Sequence, residues 1–184
     1  MKVDILLSGA GGQGLMSLGK VIAAAAILEN KFTTYIPSYG PEVRGGTAYC
    51  YIKISDVPIA SALVETPDAA IILNQQSLNK FKNQLDKNCT LILNSDLIEN
   101  KLNLSAKKIV YLPLNKIALE CGDLKCANVV ALGALIYLKP DILRQETIIG
   151  ILKEIFSANN PMLNINIKAL AKGREVAKTS QGLL

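Results

Sequence analysis

Apolar and polar positions alternate between two periods along this chain. Residues 3–8 (VDILLS) form a short apolar run, which predicts a buried strand, and Gly9 to Gly14 predict a tight loop. From Leu15 to about Asn30 the spacing becomes helical, with Leu15, Leu18, Ile22 and Ala26 on one face. Residues 32–36 and 47–54 are rich in β-branched and aromatic side chains and predict a second and a third strand. After a loop with Pro58 and Pro67, strands are predicted over 69–74, 89–94 and 108–112, with a helix from about Ser77 to Leu85 between the first two. The last third predicts helices over about 127–138, 145–157 and 166–179, with breaks at Pro140 and at Asn159-Asn160-Pro161.

Strands alternating with helices imply an α/β fold with a mostly parallel sheet. The step from "TTYIP" to "TAYCYIKI" leaves no room for a crossover helix, so at least one antiparallel pair is expected. No repeat or linker divides the chain, and 184 residues suffice for one domain with a substantial core. Half the residues are hydrophobic and 19% are charged, as expected of a sheet with helices on both faces or of a subunit with buried contacts. No apolar run reaches the roughly 18 residues of a membrane span. The start "MKVDILLSG" carries an acid in its apolar run, which reads as no signal peptide; a cytoplasmic protein with no membrane partner is expected.

Charge and chemistry narrow the function. The net charge of +5 comes from scattered lysines without interleaved aromatics, so a solvated surface is expected and no nucleic-acid partner. There is no histidine, which removes Ser–His and Cys–His pairs, histidine metal ligation and a histidine base. Cys50, Cys89, Cys121 and Cys126 make neither a zinc nor a cluster pattern, and no metal residues are assigned.

Two motifs carry the candidate chemistry. Gly9, Gly11 and Gly14 fit G-x-G-x-x-G between a strand and a helix, with Gly12 and Gln13 inside the loop; such a loop brings backbone N–H groups close to an anion, or serves only close strand–helix packing. The acid that would hold a ribose at the end of the next strand is missing, and no Gly-Lys-Ser/Thr follows, which disfavours NAD, FAD and a P-loop. Instead the chain places Tyr39, Gly40, Pro41, Glu42, Val43, Arg44, Gly45 and Gly46 before the third strand. Pro41 stiffens this turn, and Arg44 offers a planar fork to phosphate or carboxylate, unless it pairs with Glu42 only to brace the turn.

"SGAGGQG", "YGPEVRGG", "SDVPIASALVETPDAAIILNQQSLNKF", "LILNSD", "NVVALGAL" and the closing "NIKALAKG" occur in this order. Together they resemble the gamma subunit of 2-oxoacid:ferredoxin (acceptor) oxidoreductases over nearly the whole chain. Ala62 departs from the proline common there. The indolepyruvate oxidoreductase small subunit is a related alternative, which typically has a histidine in the turn. The resemblance implies a Rossmann-like domain over residues 1–184 in a multi-subunit enzyme. Such an enzyme oxidatively decarboxylates a 2-oxoacid (2-oxoglutarate first, pyruvate second), forms the acyl-CoA and passes electrons to ferredoxin or flavodoxin.

It further implies that thiamine diphosphate, magnesium and iron–sulfur clusters sit in alpha, beta and ferredoxin-like partner subunits, and it admits a gamma homodimer. No catalytic residue is assigned to this chain. Gly9, Gly11, Gly12, Gln13, Gly14, Tyr39, Gly40, Glu42, Arg44, Gly45 and Gly46 are the residues expected at the cofactor or coenzyme A region, or at a subunit boundary. The alternative is a purely structural assembly subunit. Gly122-Asp123 resembles half of a thiamine motif, and the spacing to Asn159-Asn160 makes that a coincidence.

Overall fold

The computed structural model describes residues 1–38, 46–99, 106 and 108–180. Six strands form one sheet in the order β2-β3-β1-β4-β5-β6. In chain order they are β1 (Lys2–Ala10), β2 (Phe32–Ser38), β3 (Thr47–Ser55), β4 (Ala69–Ile72), β5 (Thr90–Asn94) and β6 (Lys108–Leu112). β1, β4, β5 and β6 run parallel. β3 is antiparallel to both β1 and β2, as the short connection between β2 and β3 requires.

The helices are α1 (Leu15–Leu28), α2 (Gln75–Phe81), α3 (Leu114–Cys121), α4 (Ala127–Leu138), α5 (Gln145–Ile155) and α6 (Pro161–Ser180). They divide unequally between the faces. Odd-numbered residues of β1 (Val3, Ile5, Leu7) and even-numbered residues of β3 (Cys50, Ile52, Ile54) join Ile71 and Ile92 in the larger core, under α1, α3, α4, α5 and α6. Leu6, Ala70, Ile72, Leu91 and Leu93 point to the opposite face and pack on Leu78 and Phe81 of α2. Alternation along β1 and β3 follows from the two-residue period of a strand.

α4 is apolar all round and buried over Ala127–Ile136, which marks the centre of the helical layer. It lies so close to α6 that a Cβ on Gly173 would meet the Val130 carbonyl oxygen at 1.9 Å, and one on Gly133 would meet that of Leu170 at 2.1 Å. The buried stripe of α6, Leu163, Asn166, Ala169, Leu170, Gly173 and Ala177, has the spacing that this contact needs.

Three helices differ most from the sequence expectation, and the strand expected over 69–74 ends at Ile72. α3 is an extra helix. Its Leu114, Ile117, Ala118 and Cys121 are buried at i, i+3, i+4 and i+7 behind Pro113, a pattern short enough to pass for a loop. α6 begins at Pro161, not 166, because a proline in the first helical turn gives up no hydrogen bond. α2 starts earlier and ends at Phe81, passing into a 3-10 turn over Lys82–Gln84. Its start is set by the Asn74 side chain, which accepts from the Ser77 N–H at 2.9 Å.

Candidate functional site

β1 delivers the glycine loop to the carboxyl end of the parallel strands, where open α/β sheets place their ligands. Two hydrogen bonds set the loop: Ala10 N–H donates to Gln13 Oε1 at 2.7 Å, and Gln13 N–H to the Ala10 carbonyl at 3.3 Å. Gly14 then starts α1 with φ 71° and no side-chain cap. The first N–H groups of a helix lack intrahelical partners, so the opening of α1 presents donors and a positive dipole end with no acid in its first turn.

The glycines separate into two kinds. A Cβ on Gly9 would meet Gln13 Oε1 at 2.4 Å and Leu15 at 2.9 Å; one on Gly14 would meet Asn128 Nδ2 at 2.5 Å. These two serve packing. A Cβ on Gly11 or Gly12 would meet nothing within 4 Å, and Gly12 has φ 89°. Both are exposed, so the open side of the loop is bare backbone, which is what close approach of an anion needs.

Two cavities flank that bare segment. One, of about 350 Å³, is lined by Gly11, Gly12, Gly14, Met16, Ser17 and Ala48. The other, of about 280 Å³, is lined by Gly12, Gln13, Leu73, Asn115, Asp123 and Lys125. Its floor is held by Asn94, whose Nδ2 donates to the Leu73 carbonyl at 3.3 Å and to Asn115 Oδ1 at 3.1 Å, while its Oδ1 accepts from Leu114 N–H at 3.2 Å. This fully buried amide ties β4, β5 and α3 together under the site.

The end of β2 and the start of β3 lie beside the glycine loop. Ala10 pairs with Thr47 and Gly9 with Ala48, and Ser38 pairs with Tyr49. β2 therefore ends, and β3 begins, at the end of the sheet where the glycine loop starts. Gly46 is buried just before β3. Tyr39, Gly40, Glu42, Arg44 and Gly45 lie outside the described residues.

Sequence reading missed Ser17, Asn115, Asp123, Lys125 and Asn128 at this site. Asn128 Nδ2 donates to the Gly14 carbonyl at 2.9 Å across 114 positions, a contact without local signal. Gly122-Asp123 has a structural explanation: Gly122 ends α3 with φ 127°, and the Asp123 carboxylate accepts from Lys125 N–H at 2.8 Å to start the 3-10 turn over Leu124–Cys126.

The thiols are not poised for chemistry. Burial pushes Cys50 and Cys89 up to about 12 and Cys126 up to about 11, and raises Cys121 as well. Among the described residues no three His, Cys, Asp or Glu side chains come together to hold a metal ion, and no helix is long and apolar enough to cross a membrane.

The fold and loop define an α/β domain of Rossmann-like type, with a bare glycine loop at the carboxyl end of a mixed sheet. Residues 4–176 match the family model described as pyruvate ferredoxin/flavodoxin oxidoreductase, and the chain belongs to that family. It is 34% identical over 181 residues to the 2-oxoglutarate synthase subunit KorC of Methanocaldococcus jannaschii, covering 97% of this chain and 95% of that one. It is 32% identical over 177 residues to the ketoisovalerate oxidoreductase subunit VorA of Methanothermobacter thermautotrophicus; there the match covers 96% of this chain but only 37% of the relative's length. The crystal structure of a keto/oxoacid ferredoxin oxidoreductase gamma subunit from Geobacter sulfurreducens superposes with a TM-score of 0.85 at 30% identity, covering 98% of each chain.

Proposed function

We propose that this chain is the gamma component of a 2-oxoacid:ferredoxin oxidoreductase, in which partner chains carry out the oxidative decarboxylation. 2-Oxoglutarate is the first-choice substrate, pyruvate the second, and ferredoxin or flavodoxin the electron acceptor. The reading is supported by relatives that are themselves named as subunits of 2-oxoacid oxidoreductases. It is consistent with a sequence that has no histidine and with four thiols that are all buried and raised above their ordinary value. Thiamine diphosphate, magnesium and iron–sulfur clusters are assigned to alpha, beta and ferredoxin-like partners.

The role we assign to this chain is to hold an anionic part of coenzyme A at the glycine loop and the Arg44 turn. The observation that carries it is the bare Gly11-Gly12 backbone at the uncapped start of α1, beside the point where β3 begins. Helix-opening amides and an arginine fork both suit phosphate oxygens. In the assembled complex, Arg44→Ala should raise the apparent KM for coenzyme A about tenfold, the loss of one charge-assisted contact, with the subunits still associated. Unchanged kinetics would refute the assignment.

A scaffold role is the second reading. It is favoured by the exposed Ile27, Leu28, Phe32, Ile36, Val57 and Leu63, which are large apolar side chains that a partner's surface could cover. Titration of the isolated chain with coenzyme A separates the two, since a scaffold gives no heat of binding.

A further inference from the structure

On the β4 side of the glycine loop, the cavity of about 280 Å³ shares Gly12 with the bare segment, and the anion reading leaves it unused. Leu73, Leu124 and Ala127 give it apolar walls, and Gln13, Asn115 and Asp123 bring polar groups to it. None of these three polar residues lines the cavity on the Ala48 side of the loop.

Hydrogen bonds fix which end of each amide is free. Gln13 Oε1 accepts from Ala10 N–H at 2.7 Å, so Nε2 is its free end. Asn94 Oδ1 accepts from the N–H of Leu114 at 3.2 Å and of Asp96 at 3.3 Å, which makes its Nδ2 the donor to Asn115 Oδ1 at 3.1 Å. Asn115 therefore spends its oxygen on Asn94 and keeps Nδ2 free. Gln13 and Asn115 are both half-buried, and neither free nitrogen has a hydrogen-bond partner among the described residues. The sealed, unpaired polar atoms among the described residues lie elsewhere, at Asp4, Thr34, Ser77 and Asn128.

Both amides stand next to Leu73. The Leu73 carbonyl accepts from Asn94 Nδ2 at 3.3 Å, and a Cβ on Gly9 would touch both Gln13 Oε1 and Leu73 Cβ. Asp123 supplies the acceptor: Oδ1 takes the Lys125 N–H at 2.8 Å, and Oδ2 has no partner among the described residues. One acid and one lysine line the cavity, so it carries no net charge and suits an uncharged ligand.

We propose that this cavity holds an uncharged chain of amide and hydroxyl groups, the pantetheine arm of coenzyme A. Two N–H donors match the two lone pairs of an amide carbonyl, and the Asp123 carboxylate accepts from a hydroxyl or an amide N–H of the arm. The aliphatic links of the arm lie on Leu73, Leu124 and Ala127. Other amides share this chemistry; Gly12 selects the arm, because in coenzyme A it is bonded directly to the pyrophosphate. The inference rests on the coenzyme A reading of Gly11 and Gly12. It adds that the arm leaves the loop toward β4 and α3, away from Ala48.

Two halves of coenzyme A serve as probes, each measured as an inhibitor competitive with coenzyme A in the assembled complex. S-Methylpantetheine is uncharged and cannot accept an acyl group; adenosine 3′-phosphate 5′-diphosphate carries the phosphates. Asn115→Ala removes one donor and keeps a good helix former in the first turn of α3. Asp123→Asn keeps an oxygen for the Lys125 N–H and loses the second acceptor. Each should weaken inhibition by S-methylpantetheine about tenfold and leave the nucleotide half no weaker than in the wild type. Arg44→Ala should do the reverse. N-Acetylglycylglycinamide should not compete, and inhibition equal to that of S-methylpantetheine overturns the choice of the arm. If S-methylpantetheine fails to compete, or ignores both variants while Arg44→Ala weakens the nucleotide half, the arm assignment falls and the phosphate reading stands. If both variants weaken S-methylpantetheine while Arg44→Ala leaves the nucleotide half unchanged, the arm assignment stands and the role of Arg44 falls.

Discussion

Gly11 and Gly14 occupy one loop and do opposite work. Gly14 sits at φ 71° with Asn128 where a Cβ would be, so Gly14→Ala combines a left-handed backbone with a clash and should cost about 2 kcal/mol or more. Gly11 has neither constraint, and Gly11→Ala should change stability by less than about 0.5 kcal/mol while raising the apparent KM for coenzyme A in the complex. Melting curves and steady-state kinetics of the two variants test this. If Gly11→Ala leaves KM unchanged, the bare backbone is not a contact.

Glu29 acts at the same scale on the opposite end of α1. Burial raises its pKa, but hydrogen bonds from the Arg144 backbone N–H (2.8 Å) and from Lys31 (3.1 Å) outweigh it, and the net shift is downward. A depressed carboxylate contributes stability above its unfolded value of 4.5, and this is lost as pH falls through the folded value. Denaturation measured from pH 7 down to acid should show a shallower loss below about pH 4.5 for Glu29→Gln than for the wild type. Parallel curves would show that Glu29 does not couple folding to protons.

Among the elements, β1 and β3 share a buried ion pair, Lys53 Nζ to Asp4 Oδ2 at 3.2 Å, on the α2 face of the sheet. Asp4 Oδ1 has no hydrogen-bond partner. Losing one partner strands a buried charge, whereas replacing both by apolar groups does not. Lys53→Met should therefore destabilise by about 3–5 kcal/mol, and adding Asp4→Leu should recover most of it. A urea-denaturation cycle measures the coupling; additive single effects would mean the pair is solvated. The same two strands show how legible the elements are. The short apolar and β-branched runs of β1 and β3 and the helical period of α1 are plain in the spacing of side chains alone. α3 is not, because eight residues give only two helical turns, and Pro161 reads as a break although it also begins α6.

For the whole molecule, the unequal helical layers matter most. Five helices cover one face, while α2 covers only part of the other, leaving Phe32 and Ile36 of edge strand β2 exposed. Pro37 in β2 withholds a donor from an edge strand, which disfavours pairing with a further strand. On the proposed function, this chain purified alone should not turn over any 2-oxoacid, whatever thiamine diphosphate and ferredoxin are added; measurable acceptor reduction would contradict the proposed division of labour.

The α/β class, the antiparallel step at β3 and the glycine loop can all be read from the chain without coordinates, because each is written in spacing along a few consecutive residues. Folding in three dimensions alone separates Gly9 and Gly14, which pack, from Gly11 and Gly12, which stay bare, and brings Asn128, Lys125, Asp123 and Asn115 beside them. Those partners come from segments some 100 residues further along the chain. Proximity across such distances is set by how β1, α3, α4 and α6 close on one core, which no local pattern encodes.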